Sequence, residues 1–482
     1  MTTSNRRNFL KTTFVGMGLT SIGLSSCTNE SSNKNSHSNA DKRTQKFNMC
    51  GFGAPKIDIV RVGIIGLGSR GPGAVKRMAQ IEGVEISALG DKHADRVKKA
   101  QEILTEAGLP EAKEYSGSED SWKNMCEDSN LDLIYICTPW SLHTPMALYA
   151  MENGKHAAVE VPAAVTVDEA WSLVETSERT RKHCMMLENC CYDFFEMLTL
   201  NMARQGFFGE IIHAEGAYIH DLLQGNFSKT GYMDMWRLIE NQKNGNRYPT
   251  HGLGPICQAM NINKGDGMDY LTSMSSNDFQ MSAKANELAA EDDYYKPYAN
   301  KDYRGNMNTS VIRTRNGKTI MVQHDVTSPR PYSRIHLLSG TKAMAQKWPG
   351  PPKISKGHGW MSNEEMKELS DKYTPDIIKH IGEVAKKIGG HGGMDSVMDW
   401  RLIDCLRNGL PLDQDVYDAA LWSVITPLSE WSVKNRSNSI DVPDFTCGSW
   451  STNKPVNITM EGGGNTKIRE IKTEVGVQMK VE

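Results

Sequence analysis

The chain lacks several signatures that would each have settled its chemistry early. Its ten cysteines include no CxxC pair and no HExxH run occurs, so a zinc site has no support and no metal is expected. Adjacent Cys190 and Cys191 read as packed thiols rather than a functional disulfide. Basic residues do not exceed acidic ones, 55 against 58 with a net charge of −3, and no basic stripe stands out, which argues against nucleic acid as a partner. There is no internal repeat. The apolar run near the start, "TTFVGMGLTSIGLSSC", is too short for a permanent membrane span.

What is present begins at that same end. "NRRNFLK" places Arg6 and Arg7 before Phe9, Leu10 and Lys11, which resembles the twin-arginine signal for export of folded proteins. The apolar run that follows closes on Leu24-Ser25-Ser26-Cys27, similar to a lipobox in which Cys27 becomes a lipidated N-terminus. The expectation is an exported lipoprotein anchored to a membrane at the periplasm or cell envelope, with the signal over 1–27. Residues 28–56 are rich in Ser, Asn and Lys and read as a flexible tether. The remaining length suits two domains, 57–186 and 187–446, followed by a tail over 447–482. That tail alternates as an edge strand would, or is a free end.

"DIVRVGIIGLGSRGPGAVKRMA" joins a β-branched apolar run to a helical segment through Gly66-Leu67-Gly68-Ser69-Arg70-Gly71. The first glycine permits the tight turn, the second lets backbone approach a pyrophosphate, and the third lets helix lie close to strand. The helix start then offers free N–H groups to phosphate. The next strand, "VEISALGD", ends in Asp91, an acid suited to a ribose 2′-hydroxyl, so the expected cofactor is NAD rather than NADP. Strand and helix patterns continue to alternate as far as "HCMMLEN", which argues a parallel, doubly wound sheet in an α/β protein. Ligand groups of such a sheet gather at the strand C-termini. That places Trp140, His143, Glu160, Val161, Glu188 and Asn189 around one crevice. Gly66, Gly68, Ser69, Arg70 and Asp91 complete the predicted cofactor contacts.

"GLGSRG", "CTPWSLH" and "VEVPAAVT" resemble the Gfo/Idh/MocA oxidoreductases, a family in which a Rossmann domain precedes an α+β domain with a large open, mainly antiparallel sheet. Most dehydrogenases of that family carry Glu-Lys-Pro in the third motif, where the lysine moves a proton. This chain has Glu160-Val161-Pro162, and an aliphatic side chain relays no proton. "LENCCYD", "AYIHDL", "MWR", "YPTHGLGP", "PRPY", "GGHGGMD" and "DVYDAALWSVITPLSE" resemble more narrowly the NAD-dependent glycosidases of glycoside hydrolase family 109, over about residues 58–446. Pro162 stands where that family is expected to carry a small residue.

The resemblance implies an α-N-acetylgalactosaminidase-like activity on a glycan or glycoside, with tightly bound NAD regenerated in each cycle. Oxidation at C3 of the sugar acidifies the C2 hydrogen, the C1 substituent leaves by elimination, water adds, and the hydride returns. The implied catalytic residues are His251, Tyr248 and Tyr192, the last for the C2 proton. Tyr218, Arg237 and Tyr332, with Tyr248 and His251, are the implied sugar-binding set. Histidine titrates near neutrality and suits the 3-hydroxyl proton. "YPTHG" is expected as a fixed turn rather than a helix. "GGHGGMD" with His391 is Gly-rich enough to line a site, receives no role from the resemblance, and reads equally as a loop hinge. Three alternatives stay open: an exported sugar oxidoreductase with bound NAD(P), a non-catalytic sugar-binding lipoprotein, and a two-carboxylate hydrolase using Glu160 and Asp221. A homo-oligomer is likewise left open.

Overall fold

The computed structural model describes residues 43–469. The arginine pair, the apolar run and Cys27 lie outside the described residues, as do 28–42 and 470–482. Among the described residues, no helix is long and apolar enough to cross a membrane.

The apolar run before GLGSRG forms β1 (Val60–Ile65) at the centre of a six-stranded sheet. β2 (Val84–Gly90) and β3 (Lys113–Tyr115) lie on one side of it. β4 (Leu133–Ile136), β5 (His156–Val159) and β6 (Cys184–Met186) follow on the other. The order is β3-β2-β1-β4-β5-β6, and all pairings are parallel. Strands β4 to β6 are buried along their whole length, which is why, His156 apart, they carry apolar runs instead of alternation. Local signals set the helices between them. Helix Val167–Thr180, for example, opens on a reciprocal cap between Thr166 and Glu169.

The second domain is built on eight strands. They are β7 (Ile211–Ile219), β8 (Met268–Ser275), β9 (Asn308–Thr314), β10 (Thr319–Asp325), β11 (Leu337–Gly340), β12 (Met344–Gln346), β13 (Lys353–Ser355) and β14 (Ile440–Asp441). Their order is β13-β12-β11-β7-β10-β9-β8-β14, antiparallel except where β7 meets β10. The fold class expected from the sequence is the one observed.

Two flanking segments differ from expectation. From Thr44 onward the tether is bound to the body. Gln45 donates to the Tyr417 hydroxyl at 2.7 Å, the Lys46 N–H to Glu178 at 2.8 Å, and Asn48 to Asn453 at 2.7 Å. Met49 is buried, and Phe47 lies under the Arg181 guanidinium at 3.7 Å. A few apolar anchors in a polar stretch are enough to order it. The tail is tied down as far as Arg469; the alternating stretch read as a possible edge strand lies almost wholly outside the described residues. Gly464 and Thr466 donate to Asp404 at 2.9 and 2.8 Å, and Ile468 bridges Ile81 in the turn before β2.

"YPTHGLGP" is also not the turn expected. Helix Thr250–Ala259 starts there, directly after Pro249. Pro255 lies inside it and can donate nothing back to the carbonyl of His251. The helix crosses β7 at close range. A Cβ at Gly252 would lie 2.2 Å from the Ala217 nitrogen, and one at Gly216 would lie 2.3 Å from the Gly252 oxygen. Gly252→Ala should therefore cost about 1–3 kcal/mol, read as a lower midpoint in a thermal melt, and should impair activity by displacing His251. An unchanged midpoint would show that the crossing has slack.

Candidate functional site

A cavity of about 780 Å³ opens at the C-terminal ends of β1, β2, β4 and β5 and is closed from the other side by the second domain. Volumes of this order hold cofactor and small substrate together.

The dinucleotide side is built by the first turn. Gly66 has φ +89°, and a Cβ on it would lie 2.7 Å from the Cys137 carbonyl. Gly71 is as confined, 2.2 Å from the Gly66 oxygen, so helix Gly71–Ala79 starts hard against the strand end. That helix has no side-chain cap, so its first N–H groups, Pro72 having none, take no side-chain acceptor at the edge of the cavity. Asp91 is held by backbone: Oδ2 accepts from Leu67 N at 2.8 Å and Oδ1 from His93 N at 2.9 Å. Arg96 Nη1 also reaches Oδ2 at 3.5 Å, and Oδ1 keeps a lone pair for a ribose hydroxyl. An uncapped helix start beside a fixed acid fits NAD, and Gly66, Gly68, Ser69, Arg70 and Asp91 all line the cavity.

Arg70 crosses the cleft floor. Its Nε donates to Glu160 at 2.8 Å and its Nη1 to Asp395 at 3.2 Å. The charge of Glu160, with that of Asp395, overcomes burial and raises the Arg70 pKa. Asn189, buried, also donates to Asp395. Trp140 stacks on Tyr248 with ring centres 5.7 Å apart. His143 is a brace between loops, with Nδ1 and Nε2 each 2.7 Å from a carbonyl, of Pro162 and of Thr138. Burial lowers its pKa against the pull of both carbonyls. Val161 lines the cavity and brings no titratable group.

The facing wall carries the implied sugar residues. Tyr248 and Tyr218 meet the His251 ring edge-on, at 4.8 and 5.3 Å. His251 Nδ1 lies 2.8 Å from Glu188 Oε1. Burial pushes the Tyr248 phenol well above its usual value and that of Tyr218 up to about 12, so both act as neutral hydroxyls. Arg237 sits among the rings of Tyr232, Tyr248, Trp140 and Trp236, at 5.1 to 5.9 Å. Its hydrogen bond is to the Tyr232 hydroxyl, 3.1 Å, and among the described residues it has no carboxylate partner. Tyr332 packs on His220 at 5.1 Å and stands just behind the cavity wall.

One implied catalytic residue does not join this group. Tyr192 is 1 % exposed and does not line the cavity. Its hydroxyl donates to Asp413 at 3.3 Å, and burial together with that charge pushes its pKa well above the ordinary value. A carboxylate 221 residues downstream draws it away from the cleft. The two-carboxylate arrangement has no geometry either, since Glu160 is paired with Arg70 and Asp221 is exposed outside the cavity.

Sequence reasoning gave no role to Asp395 or His391. Both come from GGHGGMD, and His391 lines the cavity with Nδ1 2.9 Å from Asp395. Burial pushes the Asp395 carboxyl up, but His391, Arg70 and Arg77 outweigh it and hold it well below the carboxylate range. An acid next to a glycine-rich turn was the only local signal.

A family model described as "Glycosyl hydrolase 109, C-terminal domain" matches residues 192–452. Another, "Oxidoreductase family, NAD-binding Rossmann fold", matches residues 60–188. The chain is 50% identical over 418 residues to glycosyl hydrolase family 109 protein 1 of Bacteroides fragilis (strain YCH46), covering 83% of this chain and 88% of that protein. It is 50% identical over 416 residues to an alpha-N-acetylgalactosaminidase of Bacteroides fragilis (strain ATCC 25285), covering 85% and 97%. Among solved structures it resembles levoglucosan dehydrogenase in complex with NADH and levoglucosan, at TM-score 0.60 and 15% identity over 80% of this chain and all of that one. Scyllo-inositol dehydrogenase from Lactobacillus casei, with NAD(H) and scyllo-inositol, gives TM-score 0.56 at 13% identity over 80% of this chain and all of that one. At such identities these two show a shared fold.

Asp395→Asn should lower the dinucleotide content of purified protein and its melting midpoint at neutral pH. A depressed folded-state pKa stabilises above the unfolded carboxyl value, near 3.9, and that gain disappears as pH falls through the folded value. The gap between wild type and variant should thus be full at neutral pH and close below about pH 4. A gap that widens on acidification would contradict the assignment.

Proposed function

Because the chain belongs to glycosyl hydrolase family 109, an NAD-dependent glycoside hydrolase family, we propose that it cleaves α-linked N-acetylgalactosaminides by a redox-assisted elimination. The observation that carries this reading is one cavity shared by the GLGSRG turn with Asp91 and by His251 with Tyr248. A proton-transfer group then stands at the same opening as the dinucleotide cradle. When bound, NAD supplies a hydride acceptor that also returns the hydride.

The chain's own residues orient the sugar and move protons. His251 takes the proton of the 3-hydroxyl as C3 becomes a carbonyl and gives it back on re-reduction. Tyr248 and Tyr218 hydrogen-bond the sugar hydroxyls, and Arg237 donates to an acceptor oxygen of the ring substituents. The aromatic wall of Trp140, Trp236 and Tyr248 keeps water from competing for those groups. With C3 oxidised, the C2 hydrogen is acidic because its carbanion is delocalised onto the carbonyl oxygen. A base or water in the cavity takes that proton, the C–H pair becomes the C1–C2 double bond, and the C1 substituent leaves with the pair of the broken C1–O bond. Water addition followed by hydride return gives net hydrolysis. Transfer of hydride between two sugars is a weaker reading, since Val161 replaces the lysine that such chemistry uses.

The same proposal extends to location. Arg6-Arg7, the apolar run and Cys27 support twin-arginine export and lipid attachment at the cell envelope. A cofactor restored in every cycle suits a compartment with no pool to recycle it.

Denatured protein should release about one nicotinamide dinucleotide per chain, and turnover of an α-N-acetylgalactosaminide should need no added NAD. Product formed in D₂O should carry deuterium at C2, and thioglycosides should be cleaved at rates comparable to O-glycosides. A C2 position that keeps its hydrogen, with inert thioglycosides, would sink the elimination route.

A further inference from the structure

Glu188 has no part in the reaction as described, yet it is a charged side chain with 0 % exposure. It stands two residues beyond the end of β6, where the chain turns out of the sheet into the short helical turn Asn189–Tyr192. Its surroundings are fixed. Its carbonyl accepts from Gln414 Nε2 at 3.1 Å, and Oε1 accepts from Cys190 N at 3.1 Å. Helix Thr250–Ala259 makes room for it at Gly254, where a Cβ would come within 2.9 Å of Glu188 Cγ.

Both carboxylate oxygens then meet one side chain. They lie 2.8 and 3.0 Å from His251 Nδ1. Burial pushes the Glu188 carboxyl up, but His251, with the hydrogen bond from the Cys190 N–H, outweighs it and holds the group below the usual range. The other buried acids nearby are committed elsewhere, Asp193 and Glu196 to Arg334 and Lys347. Cys190 does not turn the pair into a cation site, because Arg334 Nη1 donates to its Sγ at 3.3 Å. A buried carboxylate met by an imidazole and one backbone N–H, with no cation bonded to it among the described residues, is expensive to keep. Its effect on that imidazole is specific.

Neutral imidazole has one nitrogen that donates and one that accepts, whereas a carboxylate only accepts. The proton is therefore held on Nδ1, and the lone pair is left on Nε2. We infer that Glu188 is a positioning residue that fixes His251 as the Nδ1–H tautomer and presents Nε2 to the cavity as the proton acceptor. This rests on the reading of His251 given above. The proton passes from the sugar hydroxyl to Nε2, and the O–H electron pair becomes the second bond of the C3 carbonyl. Bound NAD would accept the C3 hydrogen together with its electron pair. The imidazolium so formed lies against the Glu188 carboxylate until the reverse transfer returns both.

The test is ¹⁵N spectroscopy of His251 with kinetics of Glu188→Gln. In wild-type protein, neutral His251 should show a protonated Nδ1 and an unprotonated Nε2. In Glu188→Gln the amide can donate or accept, so both tautomers should appear. That variant should keep its NAD and its KM while kcat falls on the order of 10²-fold, the scale of a positioned proton-transfer group. The inference is overturned if wild-type His251 carries its proton on Nε2, or if kcat stays within about twofold. The wild-type spectrum decides the matter even if the variant does not fold. It needs no substrate, so wild-type protein inert toward every glycoside would count against the functional reading alone.

Discussion

The architecture depends on a buried ion network where the dinucleotide domain meets helix Met394–Asn408. Arg77 donates to Asp399 at 2.6 Å and lies 3.5 Å from Asp395, while Tyr135 donates to Asp399 at 2.9 Å. Arg70 extends the same network to Glu160 at the cavity floor. Removing one member of such a set leaves an uncompensated buried charge and costs about 3–5 kcal/mol. The cofactor turn and the seam between domains are therefore one electrostatic object. An apolar seam would tolerate sliding; paired charges at fixed distances do not.

The second constraint is steric. Helix Thr250–Ala259 lies so near β7 that glycine is needed on both sides, at Gly216 and Gly252. This approach brings His251 against Tyr218, which β7 supplies. Glycine in "YPTHGLGP" thus serves backbone proximity first, and the chemistry of the neighbouring histidine follows from it.

The parallel sheet, the glycine turn and Asp91 were legible because each is signalled within about thirty residues. Of the aromatic wall, Trp140 was legible from its place after a strand end and Tyr218 and Tyr248 through resemblance, while Trp236 was not anticipated, since these rings come from separate segments. What local pattern could not supply was the partner of a buried charge. Nothing near Tyr192 announces Asp413, and nothing near Glu188 announces His251. Polar composition concealed the ordered stretch from Thr44, because Phe47 and Met49 carry its packing. Proline misled at "YPTHG", where Pro249 precedes a helix start and Pro255 is tolerated within.

The tail closes the molecule in a way that bears on its synthesis. Residues 464–469 reach back to the turn at Gln80–Glu82, and the Ile57 N–H donates to the Leu406 carbonyl at 3.2 Å. The dinucleotide domain comes early in chain order, yet part of its outer surface is completed by residues 467–469, made long after it. Contacts across nearly four hundred positions carry a large closure entropy and form late. While the ribosome is still extending the chain, the Rossmann sheet must wait with that surface uncovered, and the nascent protein is most exposed to misassembly during this interval.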